Sequence, residues 1–395
     1  MQRLIKQLSE LGHLMLDRDR LGPASLECGS VVTNAKGFDM RVRMKWLVAF
    51  AVLSVEVAAA APAKTLDIYF IDVEGGQSTL LVSPGGESLL IDAGWSGNGQ
   101  SGPGDPAKAR DANRILAAAH EAGISAIDYL LITHFHPDHF GGVVELAQLM
   151  PIRHFIDHGS PAAELLAIRD FRPFFDGYVK LRDRSPHLEP KPGDLLPLSA
   201  MKVTVVSSAG HTLVKPLPGA GKSNVACGSA ALPAGDPLEN PRSTGVLVEF
   251  GQFRFLDVGD LSGQPLFNLA CPNSLIGPVD VYLVAGHGGE DTADPANYAP
   301  LMPRVAVMNN GLNKGGDLAA YETLHHVPGL EDVWQQHWSK KAGDRNFAAE
   351  RIANPDESTA YWIKLSANED GSFRVLNGRT SLWKSYPARS KEKRD

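Results

Sequence analysis

The sequence predicts a layered α/β fold. Three observations carry that prediction. Strand-length apolar runs alternate with amphipathic segments along most of the chain. The side chains of chemical interest fall at the ends of these runs, where loops of such folds carry function. The 39 glycines and 27 prolines supply turns for many connections. At 395 residues, 43% hydrophobic and 21% charged, the chain is long enough to bury a large core in one domain.

The elements follow in order. Residues 1–39 read as a doubtful leader, upstream of a start codon at Met40 or Met44. Residues 40–63 have the layout of a secretory signal peptide. Arg41, Arg43 and Lys45 are its positive region, Trp46–Val55 its apolar region and Ala59–Ala63 its small-residue cleavage region. This places the mature protein in a bacterial periplasm or outside the cell. The apolar run is short for a membrane span and Glu56 interrupts it, so no stable span is expected after processing. Residues 64–385 form the predicted folded domain, and 386–395 a charged, frayed tail.

Within that domain, "TLDIYFIDV", "STLLVS" and "SLLIDAG" are strands, the first two joined through Gly75–Gly76. "AKARDANRILAAAHEAG" is a helix: Ile115, Leu116 and Ala119 share one face and Gly123 closes it. "IDYLLIT" is a buried strand leading into "HFHPDHFGG". "GGVVELAQLM" is a helix stopped by Pro151, and "IRHFIDHG" is a strand ending near His158. "MKVTVVSS" is a strand ending near His211. Residues 215–243 read as a long loop or insertion. "STGVLVEFGQFRFLDVGD" is a hairpin turning near Gly251 and ending in Asp260. "VDVYLVAGHGG" is a buried strand ending in His287, and "PRVAVMNNG" is another. "DLAAYETLHHV" is a helix, and "EDVWQQHW", "TAYWIKLSA" and "SFRVLNG" close the fold as strands.

The chemistry concentrates in one turn. His134, His136, Asp138 and His139 fall within six positions, and imidazole and carboxylate are the N and O ligands of zinc. In extended chain, residues two apart point the same way, so His134 and His136 can share one cation. Pro137 bends the chain and lets Asp138 and His139 turn toward a second. Four ligands are too few for two cations. The remainder must come from His158, His211, Asp260 and His287, all at or just beyond predicted strand ends.

"THFHPDHFGG" resembles the His-x-His-x-Asp-His signature of the metallo-β-lactamase superfamily. "LLIDAG" before it, and "FLDVGDL" and "VAGHGG" after it, follow the same motif order. "YFIDVEGGQSTLLV" is similar to the opening of the competence-protein (DNA-uptake) branch, whose last motif usually reads His-His-Gly-Ser where this chain has Gly286-His287-Gly288-Gly289. The resemblance implies a four-layer αββα sandwich with two divalent metal ions, zinc first and manganese or iron as alternatives, at the edge between two sheets. It implies His134 and His136 on the first metal, Asp138, His139 and His287 on the second, and Asp260 bridging both. The first site's third histidine is His158 or His211, with His158 preferred. The implied reaction is metal-dependent hydrolysis, a metal-bound hydroxide attacking an ester-type substrate, either a phosphodiester or another small ester. Asp138 and Asp260 would be its catalytic carboxylates. The alternatives are a lactonase or β-lactamase, and a non-catalytic metal-binding module.

A net charge of −7 offers no global basic field for nucleic acid, and the small-molecule ester or phosphodiester substrate is what the resemblance implies. No Gly-x-Ser-x-Gly elbow or Walker loop is present. Cys227 and Cys271 either pair in an oxidising compartment or stand as separate thiols. Asp72 and Asp92 either orient histidines or stabilise turns. His337 is a candidate general acid or a packed histidine, and Lys314 either meets an anionic substrate or stays solvated.

Overall fold

Seventeen strands build two sheets in this computed structural model, which describes residues 65–97, 104–230 and 235–390. The leader and signal-peptide segments, 1–39 and 40–63, lie outside the described residues. In chain order the strands are β1 (Leu66–Phe70), β2 (Thr79–Val82), β3 (Ser88–Ile91), β4 (Ile127–Leu131), β5 (Ile152–Ile156), β6 (His187–Leu188), β7 (Lys202–Ser208), β8 (His211–Thr212) and β9 (Gly245–Phe250). Then come β10 (Phe253–Asp257), β11 (Val281–Leu283), β12 (Val305–Met308), β13 (Asp332–His337), β14 (Ile352–Asn354), β15 (Ile363–Ala367), β16 (Phe373–Asn377) and β17 (Leu382–Tyr386). One sheet runs β17-β16-β15-β1-β2-β3-β4-β5-β6 and the other β14-β13-β12-β11-β10-β9-β7-β8. The helices that matter here are α1 (Arg110–Glu121), α2 (Pro137–Phe140), α3 (Val143–Leu149), α4 (Arg172–Arg182), α5 (Gly263–Ala270) and α6 (Leu318–Leu324).

Strand alternation explains the layering. On β1, Leu66, Ile68 and Phe70 enter the core between the sheets, where they join Val246, Val248 and Phe255 of the second sheet. Tyr69 points the other way, into the layer where Ile115 and Ala119 of α1, Leu146 of α3 and Tyr178 of α4 pack. Leu247 and Leu256 of the second sheet face outward onto Leu266 and Leu269 of α5 and Tyr321 of α6. Each buried Leu, Ile, Val or Phe contributes about 1.5–3 kcal/mol. The result is a four-layer αββα sandwich, as the sequence predicts.

The parallel neighbours β3, β4 and β5 in one sheet and β10, β11 and β12 in the other set their C-terminal ends along a shared edge. Asp92 follows β3, the histidine motif follows β4, Asp260 follows β10 and His287 follows β11. The topology therefore gathers residues that lie far apart in sequence.

One expectation changes. The tail does not fray at residue 386: Tyr386 is buried in the last turn of pairing of β17, and the Arg389 guanidinium donates to Asp280 Oδ1 and to the carbonyls of Val279 and Met302. Only residues 391–395 of it lie outside the described chain. The segment between β5 and β6 holds α4, whose Phe174 and Tyr178 lie one turn apart and are buried despite Gly177 between them. Cys227 and Cys271 form a disulfide, 44 positions apart in sequence. Among the described residues, no helix is long and apolar enough to cross a membrane.

Candidate metal centre

The motif leaves β4 as extended chain and turns into α2 at Pro137, which occupies the first helical position, where its missing N–H costs nothing. That bend separates two groups of side chains. His134 and His136 stay on the extended part, with His134 Nε2 3.0 Å from His136 Nδ1. Asp138 and His139 ride on the helix. His139 Nε2 lies 3.4 Å from Asp138 Oδ2 and 3.2 Å from His287 Nε2. Asp260 Oδ2 stands between the groups, 3.2 Å from His287 Nε2, 3.4 Å from His139 Nε2 and 4.0 Å from His134 Nε2.

These atoms form two sets capable of holding a cation: Asp138, His139, Asp260 and His287, and His134, His136 and Asp260. Asp260 belongs to both. A tetrahedral cation with N or O ligands at about 2.0–2.2 Å spaces its ligands about 3.3–3.6 Å apart, close to the separations in the first set. One polar atom supports the fit. Asp260 Oδ1 is buried without a hydrogen-bond partner among the described residues. That oxygen is free to meet a cation. The donor set of imidazole and carboxylate suits zinc, manganese or iron.

Backbone geometry at the site is unusual. Asp92 and His287 both have left-handed φ, 62° and 56°, a conformation that costs a non-glycine residue of order 1–3 kcal/mol. Gly76 permits the loop after β1 to reach the motif. A Cβ there would sit 2.5 Å from the Asp138 carbonyl, which accepts from Gln77 N at 3.1 Å.

The candidate ligand rings are oriented from behind. Asp92, fully buried, accepts from Thr133 N at 2.8 Å on one oxygen and from Thr133 Oγ1 at 2.7 Å on the other. The second oxygen also takes His139 Nδ1 at 2.7 Å. Thr133 Oγ1 meets His134 Nδ1 at 3.0 Å. In both rings Nδ1 is engaged and Nε2 is turned toward the cluster, the arrangement that fixes a metal-ligating imidazole.

Electrostatics matches. Burial, with His139 and His136 beside it, holds His134 well below the usual imidazole value. Burial alone would lower His139, but Asp260, Asp138 and Asp92 outweigh it and hold that ring well above. Burial would raise Asp138; Lys314 and His139 outweigh it and hold the carboxyl well below its usual range. Asp260 is held well below for a similar reason, with His287 and His139 overcoming burial.

The structure brings His134, His136, Asp138, His139, Asp260 and His287 together. It does not bring His158. The His158 ring is turned away, its Nε2 bound at 2.8 Å to Glu239 Oε1, a buried carboxylate that makes a strong charge-assisted partner. His211 is exposed on the two-residue edge strand β8 and does not join either. His337, fully buried, bonds Asp72 Oδ1 at 2.8 Å and lies 3.4 Å from Glu74 Oε2, so it belongs to an internal ionic group with Arg114. Lys314 is not simply solvated: its ammonium donates to Asp138 Oδ2 and to the Gly75 carbonyl at 2.7 Å, beside the Trp95 ring.

Two further carboxylates stand beside the cluster. Asp236 and Glu239 come from residues 215–243, which the sequence predicts as a long loop or insertion, and Asp236 Oδ2 lies 3.6 Å from His136 Nε2. The signal was present as "DPLE", an Asp-Pro-x-Glu pattern that marks the start of a helical turn.

Residues 72–229 match the family model described as the metallo-beta-lactamase superfamily. A UPF0173 metal-dependent hydrolase from Staphylococcus saprophyticus is 33% identical over 72 residues, 18% of this chain. The chain spans 24% of that relative's length. The structure of YhfI, a metallo-beta-lactamase fold protein from Bacillus subtilis, aligns over 68% of this chain and 96% of that one, at 11% identity and a TM-score of 0.41. CmlA, a diiron beta-hydroxylase from Streptomyces venezuelae, aligns over 64% of this chain and 46% of that one, at 17% identity and a TM-score of 0.36.

Proposed function

We propose that this chain, whose residues 72–229 match the metallo-beta-lactamase superfamily model, is an exported hydrolase of that superfamily that uses two divalent cations on an ester-type substrate. The observation that carries this reading is Asp260, whose one carboxylate serves both ligand sets. His134 and His136 would hold one cation with Asp260, and Asp138, His139 and His287 the other with Asp260. When bound, such a pair acidifies a coordinated water and offsets charge that develops on oxygen.

The chain's own residues do the rest. Asp138, kept ionised by Lys314 and His139, and Asp260, kept ionised by His287 and His139, are available as acceptors near neutral pH. Lys314 pins Asp138 and is still partly exposed at the mouth, where its positive charge favours an anionic substrate group. Trp95 beside it supplies an apolar wall. The competence-branch likeness of residues 69–82 favours a phosphodiester over other small esters. The absence of a cysteine from the site argues against a true β-lactamase, since both cysteines of the folded domain are tied in the disulfide. That disulfide also supports an oxidising compartment, in line with the signal-peptide reading of residues 40–63.

The test uses the purified protein with bis-p-nitrophenyl phosphate, a lactone and nitrocefin, against H134A and D260A controls. Phosphodiester turnover that both substitutions abolish is expected. Turnover of nitrocefin alone would overturn the substrate preference, and turnover unaffected by D260A would overturn the site.

A further inference from the structure

We infer that Asp236 is the positioning carboxylate of His136, supplied by the segment between β8 and β9. The inference rests on the metal-centre reading above and deepens it. His134 and His139 each turn Nε2 to the cluster and engage Nδ1 behind, on Thr133 and Asp92 respectively. His136 is reversed. Its Nδ1 faces His134 Nε2 at 3.0 Å, and its Nε2 faces Asp236 Oδ2 at 3.6 Å. An imidazole that ligates through Nδ1 needs its proton on Nε2, and a carboxylate facing Nε2 favours that tautomer.

Asp236 is itself held in place. Its Oδ1 accepts from Leu238 N at 3.1 Å, and its Oδ2 accepts from Glu239 N at 2.7 Å and Asn240 N at 2.8 Å. Three residues on, Glu239 fixes the same turn to the motif strand. Fully buried, it accepts from Phe135 N at 3.1 Å, Ala162 N at 2.9 Å and His158 Nε2 at 2.8 Å. One short turn thus grips consecutive motif residues, Phe135 by its backbone and His136 by its ring. This also accounts for His158: it anchors the turn that orients a ligand instead of ligating.

Asp236 faces the ring edge opposite Nδ1, so it acts through His136 rather than sharing its cation. Two measurements on the full chain test this. The first is zinc affinity by chelator competition for wild type, D236N, H136A and D236N/H136A. The second is the His136 tautomer by long-range ¹H–¹⁵N NMR of the metal-free wild type. Expected are a proton on His136 Nε2, a ~10–100-fold affinity loss in D236N, and no further loss when D236N is added to H136A. Unchanged affinity in D236N, a loss of equal size in the H136A background, or a proton on Nδ1 would each overturn the inference. If wild type takes up no zinc, the metal reading falls, while the tautomer still decides the role of Asp236. The tautomer also decides it if D236N does not fold.

Discussion

Replacing Asp92 by Asn should weaken the second cation site without touching a ligand. Asp92 is fully buried, and one of its oxygens takes a backbone N–H that cannot change its role, from Thr133 at 2.8 Å. Asn in that pocket keeps its carbonyl there and puts its NH₂ where Oδ2 stood. That position meets Thr133 Oγ1 and His139 Nδ1, both at 2.7 Å. The hydroxyl can rotate and accept. The neutral imidazole can accept only by moving its proton to Nε2, the atom that faces Asp138, Asp260 and His287. The tautomer required for ligation is then the disfavoured one. Loss of such an orienting partner costs ~10–100-fold in metal affinity, or about 1.4–2.7 kcal/mol. Chelator competition on metal-free D92N should show one equivalent of zinc bound as in wild type and the other weakened by that factor. Wild-type affinity for both equivalents in D92N, with its fold intact by circular dichroism, would refute the reasoning.

Three further outcomes follow from the same structure. Burial pushes the Asp257 carboxyl up to about 7, against ~3.9 in an unfolded chain. The stability its neutral form contributes is present in full below about pH 4 and is lost as pH rises through 7, because unfolding releases a proton in that window. Relative to D257N, wild type should lose on the order of 4 kcal/mol between pH 4 and 8 in denaturant titrations; parallel pH profiles would contradict the assignment. Serine at both Cys227 and Cys271 should lower unfolding free energy by about 2–4 kcal/mol, the cost of freeing a loop of this length; unchanged stability would show the crosslink to be dispensable. Alanine at Gly76 forces a Cβ into the Asp138 carbonyl and should cost about 1–3 kcal/mol in a thermal or chemical melt, with weaker metal uptake; a neutral effect would mean the loop has room to move.

Much of the candidate site was legible because its candidate ligands are chemically distinctive and sit at strand ends. His134, His136, Asp138 and His139 announce themselves within six positions, and Asp260 and His287 each close an apolar run. The third-histidine question was not decidable from sequence. His158 and His211 both follow strands, and what separates them from the cluster is three-dimensional: a buried Glu239 that claims one and an edge strand that exposes the other. Asp236 and Glu239 escaped notice because they lie in a Gly- and Pro-rich stretch with no periodicity, where the eye finds only a loop. Helix α5 was missed for a related reason. At eight residues, with Gly263 and Pro265 in its first turn, it shows too few apolar positions to establish a period. The sandwich itself was legible from the alternation of strands and helices, but which strand face packs inward, as with Ile68 against Tyr69, needed the second sheet.

The central claim is that Asp260 joins two cation sites into one centre. Anomalous diffraction from crystals grown with zinc tests it most directly. Two peaks are predicted, one among His134, His136 and Asp260 and one among Asp138, His139, His287 and Asp260, with both lost or displaced in D260A. A single peak, no peak, or two peaks that persist in place in D260A would contradict the account.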